Sequence, residues 1–294
     1  MICELAPAKI NLTLEILGKR DDGYHNLASV MQTIDICDVL NFWENNWIQV
    51  APDYNGLPKF DRFLNTNKNY VFDNLVFRAA ELLKQETSYS GGAVIQLKKA
   101  IPSAAGLGGG SSDAAATLKG LNRLWGLGLK NEQLAEIGGK LGSDIPFFIY
   151  GGTCLVEGRG EKVKPISPFS NKWIVLLIPP ITISQKTATL YSYVSSRNYS
   201  SGSNSYSFVN VLDGDFDRIV SLLCNVFEEL YPLLFDGFKR YIEDFHSANA
   251  DAVHLAGSGP ALYHIAKREE DARNVADNLA MNSSNKVYLC RTIP

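Results

Sequence analysis

The sequence predicts a two-domain protein of the α+β class. Its 294 residues are about twice the commonest domain size, which favours two domains or one large one. Segments with the two-residue period of strands alternate with segments that have helical spacing in both halves of the chain. Hydrophobic residues make up 46% and charged residues 20%, which excludes a disordered or collagen-like chain. We expect residues 1–160 and 161–294 to form the two domains.

The first predicted elements are strands. Apolar and polar residues alternate over 8–16, which predicts a strand with one buried face, and Lys9 and Asn11 share the opposite face. After the turn residues Asp22–Gly23, residues 27–43 predict one or two further strands.

Helical spacing begins after a polar, irregular stretch at 51–69. Asp73 can cap a helix that continues through Leu83, and residues 93–101 predict the strand that follows it. Residues 132–141 predict a short helix, and 147–156 could enter another strand.

The second half repeats this alternation. Residues 195–207 contain seven serines without a helical or strand period, and we expect a mobile surface loop there. The later predicted elements are helices at 216–235, 235–245 and 269–280 and strands at 252–256, 261–266 and 286–290.

Charge and cysteine content exclude some functions. Lys and Arg number 28 against 31 Asp and Glu, so the net charge of −3 recruits neither nucleic acid nor anionic lipid, and we expect neither as a partner. The five cysteines are odd in number and form no C-x-x-C pair, which argues against zinc and a disulfide framework. Without a recognisable leader or a membrane-length apolar run, a cytoplasmic location is the simplest expectation.

A glycine-rich loop is the most informative local feature. Four glycines occupy the five positions 106–110, and the N-cap types Ser111–Asp113 follow ahead of a helix. Open backbone N–H groups and a helix N-terminus can bind phosphate oxygens. The loop is not a Walker A motif, and it fails G-x-G-x-x-G because Ser111 replaces the last glycine. The alternative is a flexible loop without a ligand.

Lys9 and Asp144 are the candidates for chemistry. Lys9 could present its ammonium to a phosphate or a developing alkoxide, although an isolated strand lysine is more often solvated. Asp144 lies before an Ile-Pro step, where an aspartate is commonly a cap or turn residue. Together they have a mechanism, because a carboxylate can accept a hydroxyl proton while a nearby cation keeps it ionised.

Two further segments have both a binding and a structural interpretation. Tyr24 could stack on a base and His25 could hydrogen-bond to it, or they could be a packed tyrosine and a solvent-facing histidine. Residues 257–260, Gly-Ser-Gly-Pro, fit a tight turn or backbone donors closing over a ligand, and the turn is the safer interpretation. The remaining histidines, His246, His254 and His264, have no metal-ligand spacing.

These segments, in this order, resemble the GHMP kinase superfamily. PSAAGLGGGSS, at 102–112, matches its motif P-x-x-x-G-L-G-x-x-S-S in full. The segments PAKINLTLEILGKRDDGYHNL, LGSDIPFFIYGGTCLVEGRGE and LAGSGPALYHI resemble the branch that acts on a cytidyl-diphosphate sugar alcohol. The resemblance implies an N-terminal α/β domain, similar to ribosomal protein S5 domain 2, with a left-handed crossover, and a ferredoxin-like C-terminal domain.

The activity that the resemblance implies is ATP-dependent phosphorylation of a small molecule. The acceptor would be the 2-hydroxyl of a methylerythritol unit, giving the 2-phosphate and ADP in non-mevalonate isoprenoid precursor biosynthesis. ATP and the cytidyl alcohol would be the partners of a monomer or homodimer. Mg²⁺ follows from phosphoryl-transfer chemistry, with the Ser112 hydroxyl as a possible ligand. The alternatives are a homoserine or mevalonate type of kinase and a non-catalytic nucleotide-binding relative.

The resemblance also assigns site residues. Asp144 would be the base and Lys9 would orient and stabilise charge, with Asn11 beside the lysine. Tyr24 and His25 would hold the cytosine ring, and Tyr191, on a looser match, would sandwich it. Asn74, Leu75 and Lys99 would contact the adenosine. The residues at the ATP phosphates would be Pro102, Ser103, Ala104, Ala105, Gly106, Leu107, Gly108, Gly109, Gly110, Ser111 and Ser112.

Overall fold

The computed structural model describes residues 1–53, 74–181, 183, 185–212, 214–250, 252–282 and 286–294. The strands are β1 (Ile2–Lys19), β2 (His25–Asn45), β3 (Gln49–Asp53), β4 (Gly92–Lys98), β5 (Thr153–Gly158), β6 (Lys162–Pro165), β7 (Trp173–Ile178), β8 (Cys224–Asn225), β9 (His254–Leu255), β10 (Leu262–Ala266) and β11 (Lys286–Arg291). The helices are α1 (Leu75–Thr87), α2 (Gly109–Leu124), α3 (Asn131–Gly139), α4 (Ile145–Tyr150), α5 (Lys186–Tyr193), α6 (Ser203–Asn210), α7 (Phe216–Val220), α8 (Tyr231–Leu234), α9 (Lys239–Ser247) and α10 (Glu269–Asn282).

The chain forms two compact units that are interleaved along the sequence. The first unit comprises residues 1–8, 36–103 and 108–151, and the second comprises 9–35, 104–107 and 152–294. Both β1 and β2 contribute residues to both units. The predicted domains, 1–160 and 161–294, stay a prediction.

In the first unit, helices α1 and α2 pack against each other, and β3, β4 and the end of β2 are neighbouring strands of a seven-stranded sheet. β2 pairs antiparallel with β4, with Phe42 opposite Ile95, and β3 pairs parallel with β4. α1 begins where Asn74 Oδ1 accepts a hydrogen bond from Val76 N at 2.9 Å. Asn74 is therefore the N-cap, whereas Asp73, the expected cap, lies outside the described residues along with most of 51–69.

The second unit contains a four-stranded antiparallel sheet in the order β11–β7–β10–β9. Its inner strand β7 is buried from Ile174 to Ile178, and α10 packs on it. β5 pairs with β2 and β6, and β8 pairs parallel with β1 through Thr13 and Cys224. The α+β composition is the one predicted.

β1 is a strand as predicted, but its expected half-buried character is wrong. The apolar face from Ile10 to Ile16 is buried, and on the polar face from Lys9 to Glu15 no residue is more than 7% exposed. Buried polar groups need partners, and the second unit supplies them. The Tyr263 hydroxyl donates to the carbonyl oxygen of Asn11 at 2.8 Å, for example.

The serine-rich segment at 195–207 is not the irregular loop that its composition predicts. Residues Ser196–Asn198 form a 3₁₀ turn, and α6 begins at Ser203. The reason is the buried carboxylate of Glu15, which accepts hydrogen bonds from Ser200 Oγ at 2.8 Å and from Ser205 Oγ at 2.7 Å. These serines satisfy a buried charge.

The predicted helix at 216–235 is broken between α7 and α8. Val226 N donates to Leu14 O at 2.9 Å beside the β1–β8 pairing. Asn225 Nδ2 donates to the carbonyl oxygens of Leu255 and Gly257, both at 2.8 Å. Long-range partners thus replace the helical hydrogen bonds of this segment, which its own periodicity does not reveal.

Within the described ranges, no helix is both long and apolar enough to cross a bilayer. No three His, Cys, Asp or Glu side chains in those ranges are grouped to hold a metal. The five cysteines, all among the described residues, form no disulfide, and burial raises the pKa of Cys154 to about 12, so that thiol stays neutral.

Candidate active site

In the second unit, β1 presents a buried ammonium. Lys9 is 4% exposed, so the solvated-lysine alternative is wrong. Its Nζ donates to Asn11 Oδ1 at 2.5 Å, which confirms the predicted shared face. Asn11 Nδ2 donates in turn to Ser29 Oγ at 2.9 Å. This second bond fixes the amide so that its oxygen faces Lys9.

The first half of the glycine loop, residues 104–107, belongs to the second unit and is held there by backbone hydrogen bonds. Lys9 N donates to Leu107 O at 3.0 Å, and Ala261 N donates to Ala105 O at 3.1 Å. Ala104 adopts φ +56°, a left-handed conformation that a non-glycine residue keeps only when its surroundings impose it. This half of the loop is therefore pre-organised.

The turn at 257–260 closes over this half of the loop. Gly259 N donates to Ala256 O at 2.8 Å, so the segment is a turn as favoured. A Cβ on Gly106 would lie 2.1 Å from Ala256 O, and a Cβ on Gly257 would lie 2.6 Å from Lys9 Nζ. Glycine is required at both positions because backbone and ammonium approach so closely.

Gly106→Ala is expected to lower the free energy of unfolding by about 1–3 kcal/mol, because the residue has φ +87° and no room for a Cβ. Urea denaturation measures this loss. Gly139→Ala is the matched control, since its Cβ would meet only Pro146 Cγ at 3.7 Å. Equal stabilities of the two variants would contradict the close packing of Gly106.

The second half of the loop opens α2 in the first unit. The N-cap is Gly108, with φ +73°, and not one of the three predicted residues Ser111–Asp113, which lie inside the first turns. A left-handed residue is needed at this start, and glycine adopts it without strain. Ser112 Oγ is buried and, within the described residues, has no hydrogen-bond partner.

Lys99 lies beneath the start of α2. Its Nζ bonds to Asp38 Oδ2 and, at 2.6 Å, to Asp113 Oδ2, and it lies 3.4 Å from where a Cβ of Gly109 would be. Burial opposes the charge on Lys99, but the carboxylates of Asp113 and Asp38 outweigh it and raise the pKa of Lys99. Burial raises the pKa of Asp113 well above its ordinary value. The charge of Lys99 opposes this rise, and the carboxylate of Asp38 adds to it. The triad of Lys99, Asp38 and Asp113 thus anchors the first turns of α2 through Asp113.

Asp144 occupies the N-cap position of α4 in the first unit. It is half-buried, and its side chain makes no capping hydrogen bond. Pro146, in the first helical turn, fits a helix start because its missing N–H needs no partner there. Asp144 is therefore a turn residue at a helix start, as its structural alternative predicts, but its carboxylate does not cap the helix.

Three tyrosine rings of the second unit contact His25 or lie next to it in sequence. His25 stacks on Tyr191 with centroids 5.4 Å apart and meets the edge of Tyr199 at 6.3 Å. His25 is 9% exposed and its Nε2 is buried without a partner in the described residues. Tyr24 is 56% exposed, with the Arg159 guanidinium 5.0 Å from its ring. The alternative of a packed tyrosine and a solvent-facing histidine is wrong.

The sequence-predicted residues fall into both units. The second unit contains Lys9, Asn11, Tyr24, His25 and Tyr191. Within it, Lys9 hydrogen-bonds to Asn11, and His25 stacks on Tyr191. The first unit contains Asn74, Leu75, Lys99 and Asp144, and Leu75 Cδ1 lies 3.5 Å from where a Cβ of Gly110 would be. The role of each stays a prediction.

Sequence reasoning missed three residues. Lys186 bonds to the carbonyl of Ala104, Tyr199 contacts His25, and Asp38 completes the Lys99 triad. Only long-range contacts reveal Asp38 and Lys186. Tyr199 was missed because the serine-rich composition around it predicted a surface loop and not part of a binding site.

Comparison with known proteins settles the family. Residues 74–152 match the GHMP kinase N-terminal domain and residues 207–283 match the GHMP kinase C-terminal domain. Over 296 aligned residues the chain is 38% identical to 4-diphosphocytidyl-2-C-methyl-D-erythritol kinase of Dehalococcoides mccartyi, covering 100% of this chain and 99% of the relative. The chain belongs to the GHMP kinase family.

Further similarities extend over the whole length of this GHMP kinase. The Bacillus cereus protein of the same name is 38% identical over 289 residues, covering 98% of this chain and 96% of that one. A crystal structure of 4-(cytidine 5'-diphospho)-2C-methyl-D-erythritol kinase, 26% identical, superposes with a TM-score of 0.79 and covers 100% of both chains. The expected two-domain GHMP fold and kinase class are confirmed.

Proposed function

We propose that this GHMP kinase transfers a phosphoryl group from ATP to the 2-hydroxyl of 4-diphosphocytidyl-2-C-methyl-D-erythritol, in non-mevalonate isoprenoid precursor biosynthesis. The observation that carries the choice of substrate is the aromatic cluster around His25, with its buried, unpartnered Nε2. The full-length relatives named for this substrate support it.

The cytosine ring is the part of the substrate that these residues recognise. The exposed ring of Tyr24 offers a face for stacking, and His25 Nε2 offers a hydrogen-bonding atom. Burial, together with the charge of Lys19, lowers the pKa of His25, so the imidazole is neutral at pH 7. Tyr191 holds the imidazole in place and supplies a second ring.

Tyr24→Ala is expected to weaken binding of the cytidyl substrate by about 1–3 kcal/mol, because a base loses its aromatic stacking partner. Titration calorimetry with the cytidyl substrate measures the change. Tyr193→Ala, which removes another exposed tyrosine (58% exposed), is the matched control and should bind normally. Unchanged affinity of Tyr24→Ala would contradict the cytosine assignment.

Phosphoryl transfer is assigned to the residues that the family resemblance named. The glycine loop binds the ATP phosphates, with Asn74, Leu75 and Lys99 on the adenosine side. Asp144 accepts the hydroxyl proton, and Lys9, oriented by Asn11, stabilises charge on the transferred group. The transition state of this reaction is loose, so positioning and charge neutralisation contribute more than a strong base.

Magnesium fits the first turn of α2. Mg²⁺ in kinases is usually held by one or two protein oxygens together with substrate phosphates, and Ser112 Oγ is a buried oxygen without a partner in the described residues. When bound, the ion neutralises developing phosphate charge. We assign Ser112 as its protein ligand.

One assay separates the candidate substrates. ADP release is measured with the cytidyl alcohol, homoserine and mevalonate, and we expect turnover only with the cytidyl alcohol. Preference for either other alcohol would overturn the substrate assignment, because those compounds carry no base for Tyr24 to stack on. ATP binding without turnover of any of them would favour the non-catalytic alternative.

A reducing compartment is the proposed location. The five cysteines, all of them described in the structure, form no disulfide, which fits the cytoplasm, where disulfides are rare. We propose that the enzyme acts there as a monomer or homodimer.

A further inference from the structure

Lys186 joins the two glycine loops of the second unit. It is the first residue of α5, it is 9% exposed, and its Nζ donates to Ala104 O at 2.8 Å and to Gly259 O. Ala104 is the non-glycine residue with left-handed backbone in the first loop. The ammonium therefore fixes a strained residue of one loop to the turn that covers it.

The partners of this ammonium carry no charge. Two carbonyl dipoles satisfy two of its three donors, but no carboxylate among the described residues forms an ion pair with it. Buried lysines are normally paired with an acid. Among the described residues, Lys186 is thus a buried amine whose partners are carbonyl groups and not carboxylates.

Lys9 is the second cation at these loops. Its Nζ lies 2.6 Å from where a Cβ of Gly257 would be, in the same turn that holds Lys186 through Gly259. The hydrogen-bond partners of Lys186 lie in segments 104–107 and 257–260, and neither segment contains a titratable side chain. Burial, and then the charge of Lys9, lower the pKa of Lys186 to about 7.

Two buried ammonium groups beside one loop favour a multiply charged anion. We propose that Lys186 is a positioning residue for the triphosphate of ATP, one that holds residues 104–107 in place and takes up a solvent proton when the nucleotide binds. Of the proposed function, this inference depends only on ATP as the phosphate donor. It does not depend on which alcohol accepts the phosphate.

The sign of the coupling follows from the charges. Phosphate oxygens near Lys186 favour its protonated form, so nucleotide binding raises the affinity of Nζ for the proton. Near pH 6 the residue is already protonated and takes up nothing. Near pH 8 it is mostly neutral in the free protein, so uptake approaches about one proton and affinity falls as pH rises.

The test is calorimetry with the magnesium complex of a non-hydrolysable ATP analogue. Binding is measured at pH 6, 7 and 8 in two buffers of different ionisation enthalpy, which gives the number of protons taken up. Lys186→Arg keeps the charge at every pH, so subtracting its proton count removes the ligand's own protons. Lys164→Met, at an exposed lysine of β6, is the control and should match the wild type.

We expect the wild type to take up about one proton more than Lys186→Arg at pH 8 and the same number at pH 6. Lys186→Met should bind the analogue at least about tenfold more weakly at pH 6, and Lys186→Arg should restore part of the loss. Equal proton counts for wild type and Lys186→Arg at pH 8 would overturn the inference.

These outcomes are independent of the acceptor alcohol. If the protein phosphorylates another alcohol but shows Lys186-dependent proton uptake, the proposed substrate fails and this inference stands. If it phosphorylates the cytidyl alcohol without such uptake, the inference fails alone.

Discussion

Asp144→Asn is expected to lower kcat by about 10²- to 10⁴-fold, the range that a general base contributes. Asparagine keeps the shape of the side chain but cannot accept the proton of the hydroxyl group. KM for both substrates should change far less, because the carboxylate acts in the transition state. Steady-state ADP release measures both constants.

The control for Asp144→Asn is the same change at Asp277, an exposed residue of α10, which should leave kcat unchanged. Asp144 makes no capping hydrogen bond, so its substitution should also leave the melting temperature nearly unchanged. A variant that keeps more than about a tenth of the wild-type kcat would remove Asp144 from the base role.

Lys99→Met is expected to destabilise the protein by about 3–5 kcal/mol, since breaking a buried ion pair leaves its partner charges uncompensated. Asp38 and Asp113 would then lie buried without their cation. Urea denaturation measures this loss in the free energy of unfolding.

Lys140→Met is the matched control for that experiment. Lys140 pairs with Glu86 at 2.8 Å on the surface of the same unit, and such pairs contribute about 0–1 kcal/mol. Adding Asp113→Asn to Lys99→Met should recover part of the stability, because it removes one uncompensated carboxyl group. Similar losses for Lys99→Met and Lys140→Met would show that the triad contributes no more than a surface pair.

Local sequence patterns predicted the features that depend on a few neighbouring residues. The alternation in β1 placed Lys9 and Asn11 on one face, and their hydrogen bond confirms it. The glycine run predicted a loop leading into a helix, and that helix is α2, which begins at Gly109. Periodicity and glycine geometry act within a few residues, so a single sequence contains them.

Features that depend on distant residues were not predictable in this way. The polar face of β1 is buried because Ser205 and other remote groups satisfy Glu15. The helix expected at 216–235 breaks because Asn225 bonds to Leu255 and Gly257. Each of these outcomes requires partners brought close by the fold, and no local pattern encodes them.

The interleaving of the two units limits how the enzyme can be divided. A fragment ending at residue 160 would retain residues 9–35 but lose β8, the partner of β1 at Thr13, and β6 beside β5. A fragment starting at 161 would lack the strand that carries Lys9. No single backbone cleavage yields two self-contained halves, so co-expressed pieces would have to reassemble before either recovered its native contacts.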